Sequence, residues 1–271
     1  MHTDTIASEL LAARARSRQL PPFSEASATF GTAQAYDVAA EILKRRRAAG
    51  EVVVGRKIGF TNRGIWDEYG IDAPIWGYVY DSTLRHAAEN RGVQSLKGAM
   101  EPKIEPELVL GMRAAPRPGM NEEELAECIE WIAHGFEVVH SVYAGWKMRV
   151  DDTIAAFGMH GVLIVGTPRQ VRCAAGLNRD LVRDLKSFKV SLFCNGQLRD
   201  SGVGSNVLGS PLLALKHMVD LLARLPQHKP VAAGEIITTG TLTAALPIRA
   251  GETWHTAFTG IDLPGLSVRF V

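Results

Sequence analysis

The sequence predicts an α+β fold in which a helical N-terminal third is followed by a body of mixed β-sheet. Two observations lead to this prediction. Apolar residues recur at helical spacing in residues 4–18 and 32–49, whereas short β-branched runs dominate from about residue 160 onward. Neither a repeat nor a linker divides the chain. We therefore assign residues 1–75 to an N-terminal helical segment that packs on a body of residues 76–271, the two folding as one cooperative unit.

Composition and charge exclude several classes of protein. Hydrophobic residues make up 46% of the 271 residues and charged residues 22%, which is ordinary for a soluble globular protein. Thirty basic and 29 acidic residues give a net charge of +1, so no electrostatic attraction to nucleic acid or an anionic membrane is expected. No stretch approaches the roughly 20 apolar residues that span a bilayer, and no signal peptide is expected. Three widely spaced cysteines fit a reducing compartment, so we expect a cytoplasmic protein.

The N-terminal segment contains two predicted amphipathic helices. The first covers residues 4–18 and stops at a Pro-Pro turn, and the second covers residues 32–49 with a glycine directly after it. A short β-branched strand is predicted over residues 51–55, and it leads directly to Lys57. Residues 62–82 are aromatic and rich in turn-forming residues. This order carries the chain from the helices into the sheet.

The body begins with a strand predicted over residues 103–110. Asn121 and Glu124 form a capping box for a helix whose apolar stripe extends to Ile132. A later helix is predicted to begin with Ser210 as its N-cap and a proline at its first position. The remaining strands are predicted at residues 161–165, 189–194, 235–239 and 266–271.

Three glutamates form the strongest candidate site. Glu105 and Glu107 share one face of their predicted strand, because strand side chains alternate between faces. Their carboxylates repel each other, so they require a solvated face or a bound cation. Glu137 lies in an apolar context, where a lone charge is costly to bury. A set of three carboxylates suits Mg²⁺ or Mn²⁺ better than Zn²⁺. The alternatives are an exposed edge strand for the pair and a surface carboxylate at a helix end for Glu137.

Other candidate groups are less specific. Lys57, at the end of an apolar strand, is either a proton carrier or a residue that caps the edge of a sheet. Asp81, which closes an aromatic stretch, is equally ambiguous. The hydroxyl and backbone N–H groups of residues 238–241 either bind a substrate carboxylate or form a tight turn. The glycine-rich residues 201–205 lack the context of a dinucleotide-binding loop, and no nucleophile elbow or Walker lysine is present.

Several motifs follow one another in an order typical of one enzyme family. They are Gly-Arg-Lys-Ile-Gly-Phe-Thr (55–61), Gly-Tyr-Val-Tyr-Asp (77–81), Pro-Lys-Ile-Glu-Pro-Glu-Leu (102–108), Phe-Glu-Val-Val-His-Ser (136–141), Asp-Thr-Ile-Ala (152–155), Ser-Gly-Val-Gly-Ser (201–205), Leu-Gly-Ser-Pro (208–211) and Gly-Glu-Ile-Ile-Thr-Thr-Gly-Thr (234–241). Together they resemble the 2-keto-4-pentenoate hydratases and 4-oxalocrotonate decarboxylases of the fumarylacetoacetase-like superfamily, over about residues 35–271.

This resemblance implies a fold and a set of site residues. The fold is the mixed β-sandwich/β-roll of the fumarylacetoacetase-like type with an N-terminal helical segment, and the body of residues 76–271 is its catalytic part. In that family Mg²⁺ or Mn²⁺ is chelated by a Glu-x-Glu pair and a distant glutamate, which match Glu105, Glu107 and Glu137. The family's lysine and acid match Lys57 and Asp81, which would move protons.

The implied function is that of a divalent-metal-dependent hydratase, a hydro-lyase that adds water to a 2-hydroxy-2,4-dienoate or 2-oxo-enoate in ring-fission catabolism. The alternatives are a 2-oxo-3-enedioate decarboxylase, a C–C bond hydrolase of the same superfamily and a non-catalytic partner subunit. The intact set of three glutamates argues against the last of these. The expected partners are a small 2-oxo or 2-hydroxy-dienoic acid, further copies of this chain in a homo-oligomer, and a sister enzyme of the pathway.

The sequence departs from the family pattern directly after residues 152–155. Many of the family's hydratases continue with Asp-Asn-Ala-Ser, whereas this chain continues with Ala-Phe-Gly-Met-His. We expect Phe157 to line the substrate pocket together with Ser205 and Thr241, and His160 to be a catalytic base that handles water. The alternative is that Phe157 is a core residue and His160 a hydrogen-bonded strand residue. An apolar wall at Phe157 would favour substrates with an alkyl tail over a second carboxylate.

Overall fold

Two β-sheets pack face to face in the structure, a computed structural model that describes residues 1–63, 66, 71, 73–173, 176–177 and 180–271. The helices are α1 (Thr3–Ala15), α2 (Phe23–Ala26), α3 (Thr32–Ala48), α4 (Glu122–Glu127), α5 (Val150–Ala155), α6 (Leu181–Ser187) and α7 (Pro211–Leu222). The strands are β1 (Val53–Gly59), β2 (Ile75–Tyr80), β3 (Leu84–His86), β4 (Arg91–Gln94), β5 (Lys103–Met112), β6 (Ile129–Val139), β7 (His160–Val165), β8 (Arg169–Gln170), β9 (Arg172–Cys173), β10 (Gly176–Leu177), β11 (Lys189–Cys194), β12 (Gln197–Val203), β13 (Ile236–Thr241), β14 (Leu246–Pro247), β15 (Thr253–Thr259) and β16 (Ser267–Phe270).

The larger sheet has the strand order β2-β1-β13-β5-β6-β7-β3, with β14 added beside β5 and β8 beside β6. Most neighbours in it are antiparallel, whereas β1 pairs with β13, and β3 with β7, in parallel. The second sheet has the order β12-β11-β15-β16-β4. This mixed arrangement of two sheets with N-terminal helices confirms the predicted α+β fold class.

Alternate residues of β5 and β6 face different parts of the molecule. Ile104, Phe136 and Val138 pack with Trp254 and Phe270 of the second sheet. Further along β5, even-numbered residues on the same face of the strand, such as Leu108 and Leu110, join the core that also contains residues of α1, α3 and α7. The odd-numbered residues of β5 and β6, among them Glu105, Glu107 and Glu137, point to the other face of the larger sheet. That face carries the candidate site.

The N-terminal helices and the helix α7 agree closely with the predictions. Helices were expected at residues 4–18 and 32–49, and α1 and α3 cover most of both ranges. At the start of α7, the Ser210 hydroxyl accepts a hydrogen bond from the Leu212 backbone N–H (3.1 Å), as predicted for its N-cap. None of the described helices is long and apolar enough to cross a membrane.

Two boundaries differ from the predictions. The capping box of Asn121 and Glu124 is present, but its helix ends at Glu127, and the apolar run after it is the strand β6. Because β6 is buried on both faces, its sequence lacks the alternation that separates a strand from a buried helix.

The strand predicted at residues 51–55 extends to Gly59. It is an interior strand of the larger sheet, so the helical segment ends before β1 rather than at residue 75. Within the aromatic stretch 62–82, residues 64, 65, 67–70 and 72 lie outside the described residues.

Candidate active site

The strands β5 and β6 bring the three predicted glutamates together. In their antiparallel register Glu105 lies directly opposite Glu137, and Glu107 lies opposite Gly135. One carboxylate oxygen from each glutamate lies within 4.8 Å of the other two. Glu107 and Glu137 are fully buried and β5 is an interior strand, so neither the exposed edge strand nor the surface helix end describes these residues.

Burial and mutual repulsion shift the pKa values of this cluster. Burial raises the pKa of Glu105 to about 7, and the positive charge of Lys57 offsets this only in part. Burial and the two neighbouring carboxylates hold the pKa of Glu107 well above its usual range. Burial also acts to raise the pKa of Glu137, but Lys57 and His160 outweigh it, so that pKa is lowered. Glu137 is therefore the most firmly ionised member of the three.

Lys57 lies on β1 and reaches the same cluster. Its Nζ lies 3.2 Å from an oxygen of Glu137 and donates a hydrogen bond to the Gly158 carbonyl (3.0 Å). Burial acts to lower the pKa of Lys57, but the charges of Glu137, Glu105 and Glu107 outweigh it and raise that pKa. An ammonium group has three N–H donors, and Lys57 also lines the adjoining cavity. A third donor thus remains for a molecule bound there.

These residues fit a divalent cation. When all three carboxylates are ionised, they and the ammonium group carry a net charge of −2, which a divalent cation neutralises. Oε1 of Glu107 is buried and accepts no hydrogen bond from any residue that the structure describes. Its other oxygen accepts one from the Gly240 backbone N–H (2.9 Å), and Gly240 has a φ of +98°. A Cβ at Gly240 would lie 2.0 Å from the Thr61 hydroxyl oxygen, so the close approach requires glycine. Buried oxygen ligands of this kind are those that Mg²⁺ and Mn²⁺ prefer.

A cavity of about 530 Å³ adjoins the cluster. One side is formed by β1 and the segment that precedes β7, and the other by residues after β13. Its lining includes Lys57, Ile58, Phe60, Ile75, Lys103, Glu105, Val139, Trp146, Met148, Thr153, Met159, Asp200, Ser201, Asn206, Thr241 and Leu242. The lining thus combines apolar side chains with polar and charged ones, as in many sites for small molecules.

His160 lies beside the cluster and does not line the cavity. Its Nδ1–H donates a hydrogen bond to Glu137 (2.7 Å), and its Nε2 is hydrogen-bonded to the Thr83 hydroxyl (2.9 Å). A bulge in the pairing of β6 with β7 places His160, rather than Gly161, opposite Val139. Burial lowers the pKa of His160, although the bond to Glu137 acts in the opposite direction. With both ring nitrogens engaged, His160 orients Glu137, and we no longer assign it the role of a base for water.

Three other predicted residues are not at the positions expected. Asp81 is exposed, and its carboxylate accepts hydrogen bonds from the backbone N–H groups of Val52 (3.1 Å) and Ser82 (2.8 Å), at the far end of β2. Phe157 is buried but does not line the cavity, because its backbone has a φ of +63° and its ring lies under a guanidinium group. Ser205 is exposed and also lies outside the lining, whereas Thr241 is part of it.

Several site residues were missed in the sequence. Lys103 is on the same face of β5 as Glu105, and the alternation rule applied one step further identifies it. Met159, two residues after Phe157, is the side chain of that segment that lines the cavity. Thr83, two residues after Asp81, contacts His160. No sequence signal marks the Gly158 carbonyl, because its position depends on the backbone conformation.

Comparisons with known proteins agree on the family of this chain. The family model described as fumarylacetoacetate (FAA) hydrolase C-terminal matches residues 73–263. The 2-hydroxyhexa-2,4-dienoate hydratase of Comamonas testosteroni is 30% identical over 95% of this chain and 94% of that protein. A 4-oxalocrotonate decarboxylase of Pseudomonas sp. (strain CF600) is also 30% identical, over 88% of this chain and 85% of that protein.

A solved structure extends the agreement to three dimensions. The 4-oxalocrotonate decarboxylase from Pseudomonas putida G7, complexed with magnesium and adipate, has a TM-score of 0.88 and 27% sequence identity to this chain. The match covers 99% of this chain and 97% of the other. A 2-keto-4-pentenoate hydratase of Paraburkholderia xenovorans (strain LB400) is 28% identical over 94% of this chain and 90% of that protein. This chain therefore belongs to the fumarylacetoacetate hydrolase family, in the group of the 2-keto-4-pentenoate hydratases and 4-oxalocrotonate decarboxylases.

Proposed function

We propose that this protein is a hydro-lyase that uses a divalent cation to add water to a 2-hydroxy-2,4-dienoate, by way of the corresponding 2-oxo-enoate. One observation carries the proposal most directly. Glu105, Glu107, Glu137 and Lys57 converge beside a cavity large enough for a small acid, and Lys57 and Glu105 are part of its lining. Its relatives include a hydratase of a six-carbon dienoate and a hydratase of 2-keto-4-pentenoate.

The glutamates would hold Mg²⁺ or Mn²⁺, the two cations that best fit a small all-oxygen site. When bound, such a cation supplies a Lewis acid that stabilises negative charge on the C2 oxygen of a 2-oxo acid. His160 keeps Glu137 in one orientation through the 2.7 Å hydrogen bond. The burial of Glu107 and Glu137 excludes water that would weaken these electrostatic interactions, while Glu105 is half-buried and faces the cavity.

Lys57 is the group we propose for proton transfer. Its Nζ is held by the Gly158 carbonyl and Glu137, and its remaining donor is available to the cavity. An ammonium there can deliver a proton to the far carbon of a dienol and recover one from the C2 hydroxyl, which gives the conjugated 2-oxo-enoate. Water then adds across the remaining double bond. We give Asp81 no part in these steps, because its exposed carboxylate is hydrogen-bonded to the backbone N–H groups of Val52 and Ser82.

The test is an assay of the purified protein on 2-hydroxypenta-2,4-dienoate with Mg²⁺. Loss of the dienol absorbance and formation of the hydrated 2-oxo acid are expected, and chelation of the cation should abolish both. Glu105→Gln should remove the activity, while Glu123→Gln, which changes an exposed glutamate of α4, should retain it. Turnover that persists equally in Glu105→Gln and in chelator would contradict the proposal.

Lys103 favours decarboxylation of a 2-oxo-3-enedioate as the second candidate function. This lysine is half-buried on the cavity wall, with its Nζ 4.2 Å from the centre of the Trp146 ring. Burial lowers the pKa of Lys103, although Glu105 and Glu101 act to raise it. It has no ion pair with any carboxylate in the described part of the chain. A cation in this position matches the second carboxylate of an enedioate, and one structural relative was solved with adipate, a dicarboxylate.

Lys103→Met separates the two candidates. If the protein is a decarboxylase, kcat/KM for the enedioate should fall at least about 10-fold in this variant, because a charge-assisted hydrogen bond contributes about 1.5–3 kcal/mol. If it is a hydratase of a monocarboxylate, kcat/KM for the dienoate should change less than about threefold. Lys97→Met, which removes an exposed lysine, is the control. Release of CO₂ from the enedioate identifies the decarboxylase directly.

C–C bond hydrolysis has less support from the geometry. That reaction usually requires a histidine poised to activate water, for which His160 and His140 are the candidates. Neither lines the cavity: His160 has both ring nitrogens engaged, and Nδ1 of His140 accepts a hydrogen bond from the Met100 backbone N–H (3.3 Å). The choice between Mg²⁺ and Mn²⁺, the homo-oligomer, the association with a sister enzyme and the cytoplasmic location stay predictions. Native mass spectrometry of the purified protein, alone and with a candidate partner, tests the oligomer and the association.

A further inference from the structure

The segment that connects α5 to β7 has an unusual backbone. Phe157, Gly158 and Met159 have φ values of +63°, +59° and +60°, so three consecutive residues are in the left-handed region. Two of the three carry side chains, for which this region is unfavourable. Such a conformation persists only where surrounding contacts hold it. The segment also presents the Gly158 carbonyl to Lys57 and leads directly to His160.

Arg14, in the last turn of α1, supplies side-chain contacts of this kind, in addition to the backbone hydrogen bonds that Met159 makes with Ala156 and His140. Its guanidinium donates hydrogen bonds to the carbonyls of His160 (2.5 Å) and Gly161 (3.2 Å) and lies 4.8 Å from the centre of the Phe157 ring. Arg14 has no carboxylate within ion-pair distance in the part of the chain that the structure describes. The guanidinium thus contacts the Phe157 ring inside the left-handed stretch and the first two carbonyls of β7 directly after it. Two hydrogen bonds from one planar group are a geometry that arginine provides and lysine does not.

The segment and the residue after it contact two residues of the site, Lys57 and Glu137. At one point the Gly158 carbonyl fixes Nζ of Lys57 at 3.0 Å. At the other, the His160 ring fixes a carboxylate oxygen of Glu137 at 2.7 Å. A Cβ added at Gly158 would lie 3.1 Å from Cδ of Lys57, so the backbone and the lysine side chain are in close contact. A shift of the segment would therefore move the ammonium and the carboxylate together.

We propose that Arg14 is a positioning residue of the active site, which holds the segment from Phe157 to Gly161 so that Lys57 and Glu137 keep their orientation. The part of this inference that concerns turnover rests on the proposed function. The N-terminal helix α1 would then be a component of the catalytic apparatus, although none of its residues lines the cavity.

The experiment compares Arg14→Met and Arg14→Lys with the parent and with Arg45→Met. Arg45, on α3, is bonded to Asp4 and Ser8 of α1, so its removal weakens the docking of the same helix without touching the segment. Thermal unfolding is recorded for each protein, and three measurements are made on the site: steady-state kinetics with Mg²⁺ (kcat and KM), the affinity for Mn²⁺ by calorimetry, and amide hydrogen exchange of the peptide that contains residues 156–161.

In Arg14→Met we expect kcat to fall about 10- to 100-fold, since a displacement of about 1 Å can cost 10²-fold, with KM changed less than about threefold. Affinity for Mn²⁺ should fall about 10-fold, the lower end for loss of an outer-shell contact. Exchange should be faster in the peptide of residues 156–161 than in the same peptide of Arg45→Met. Arg14→Lys should recover part of each change, because it retains the charge near Phe157.

The proposal is overturned if Arg14→Met loses thermal stability as Arg45→Met does but keeps the parent's kcat, Mn²⁺ affinity and exchange in this segment. Arg14 would then only attach the helix. If Arg14→Met does not fold, Arg14→Lys decides the question, and parental values in all three measurements overturn the proposal. If no substrate is turned over by the parent, the proposed function fails, while Mn²⁺ affinity and hydrogen exchange still decide the role of Arg14.

Discussion

The ammonium group of Lys57 lies 3.2 Å from a carboxylate oxygen of Glu137, although their strands are three places apart in the larger sheet. In a flat sheet, strands so placed would be separated by about 14 Å. The sheet must therefore curl toward the face that carries both residues. The lysine and the three glutamates meet inside this curl, which explains how charges from separate strands share one buried site.

Replacement of Glu107 by glutamine should separate the stability of the protein from its response to a cation. Glu107→Gln removes one of three repelling carboxylates, so we expect the metal-free variant to melt at the parent's temperature or above it. The parent should gain about 2.7 kcal/mol of unfolding free energy at a Mg²⁺ concentration 100 times its Kd, and the variant should gain far less. Thermal unfolding with and without Mg²⁺ measures both.

The exposed variant Glu123→Gln is the control for this comparison. It should show the parent's stabilisation by Mg²⁺. Equal stabilisation of Glu107→Gln and the parent would place the cation elsewhere.

Replacement of Lys57 by methionine should impair turnover without weakening the binding of a cation. Lys57→Met keeps the approximate length of the side chain but removes the proton donor, so kcat should fall by about 10² or more. The positive charge of Lys57 repels a second cation, and its loss should leave affinity for Mg²⁺ unchanged or higher. Steady-state kinetics and calorimetry measure the two effects, with the exposed Lys44→Met as control. Weaker binding of Mg²⁺ in Lys57→Met would show that the lysine instead organises the metal site.

Met159, rather than Phe157, should influence the choice of substrate. Met159 lines the cavity and Phe157 does not, so Met159→Ala should change the ratio of kcat/KM for alkyl-extended and short dienoates. The gain or loss of contacts with one or two methylenes changes such a ratio of kcat/KM by about 10- to 200-fold. Phe157→Asn should leave that ratio within about threefold of the parent, because asparagine tolerates the left-handed backbone. A large change of the ratio in Phe157→Asn alone would support the interpretation made from the sequence.

His228 should make the protein sensitive to acid. Its ring is buried, accepts a hydrogen bond from the Tyr78 hydroxyl (2.9 Å) and donates one to the Tyr36 carbonyl (3.1 Å). Burial lowers the pKa of His228 to about 4, below its ordinary value of about 6.5. The neutral ring therefore stabilises the fold fully above pH 6.5, and this contribution is lost as the pH falls toward 4.

The difference between the parent and His228→Gln isolates that contribution. Glutamine can make both hydrogen bonds but does not titrate. Between pH 6.5 and 4 the parent should lose about 3 kcal/mol of unfolding free energy more than the variant, from about 1.4 kcal/mol for each pH unit. Chemical denaturation at several pH values measures the difference. Parallel profiles for the two proteins would show that His228 does not titrate in this range.

The part of the site that depends on strand alternation was predictable from the sequence. Alternation alone places Glu105 and Glu107 on one face, and it extends to Lys103. That Glu137 joins them could not be derived in this way, because the register of β6 against β5 depends on tertiary pairing. The apolar run of β6 also continues the helical pattern of α4, so the sequence predicts a helix that extends into β6, whereas α4 ends at Glu127.

The remaining site residues depend on local backbone geometry that patterns of polarity do not reveal. The left-handed segment turns Phe157 away from the cavity and directs Met159 into it. A bulge determines where His160 lies. Asp81 and Thr83 are two residues apart, yet only Thr83 contacts the residues around the glutamates. At each of these positions the composition indicates a functional segment, while the local backbone conformation decides which residue contacts the site.

The parallel pairing of β1 with β13 joins residues 55–57 to residues 236–238, and β13 is the strand between β1 and β5. On the ribosome, β1 and β2 emerge early and can pair locally, and the hairpin of β5 and β6 can do the same. Until β13 has been synthesised, the larger sheet has no strand between β1 and β5, although β3, which follows β2, can pair with β7. A nascent chain that ends before residue 236 would thus leave the β1 edge beside Lys57 and the β5 edge beside Glu105 and Glu107 unpaired, and both edges would be exposed to chaperones or to other nascent chains.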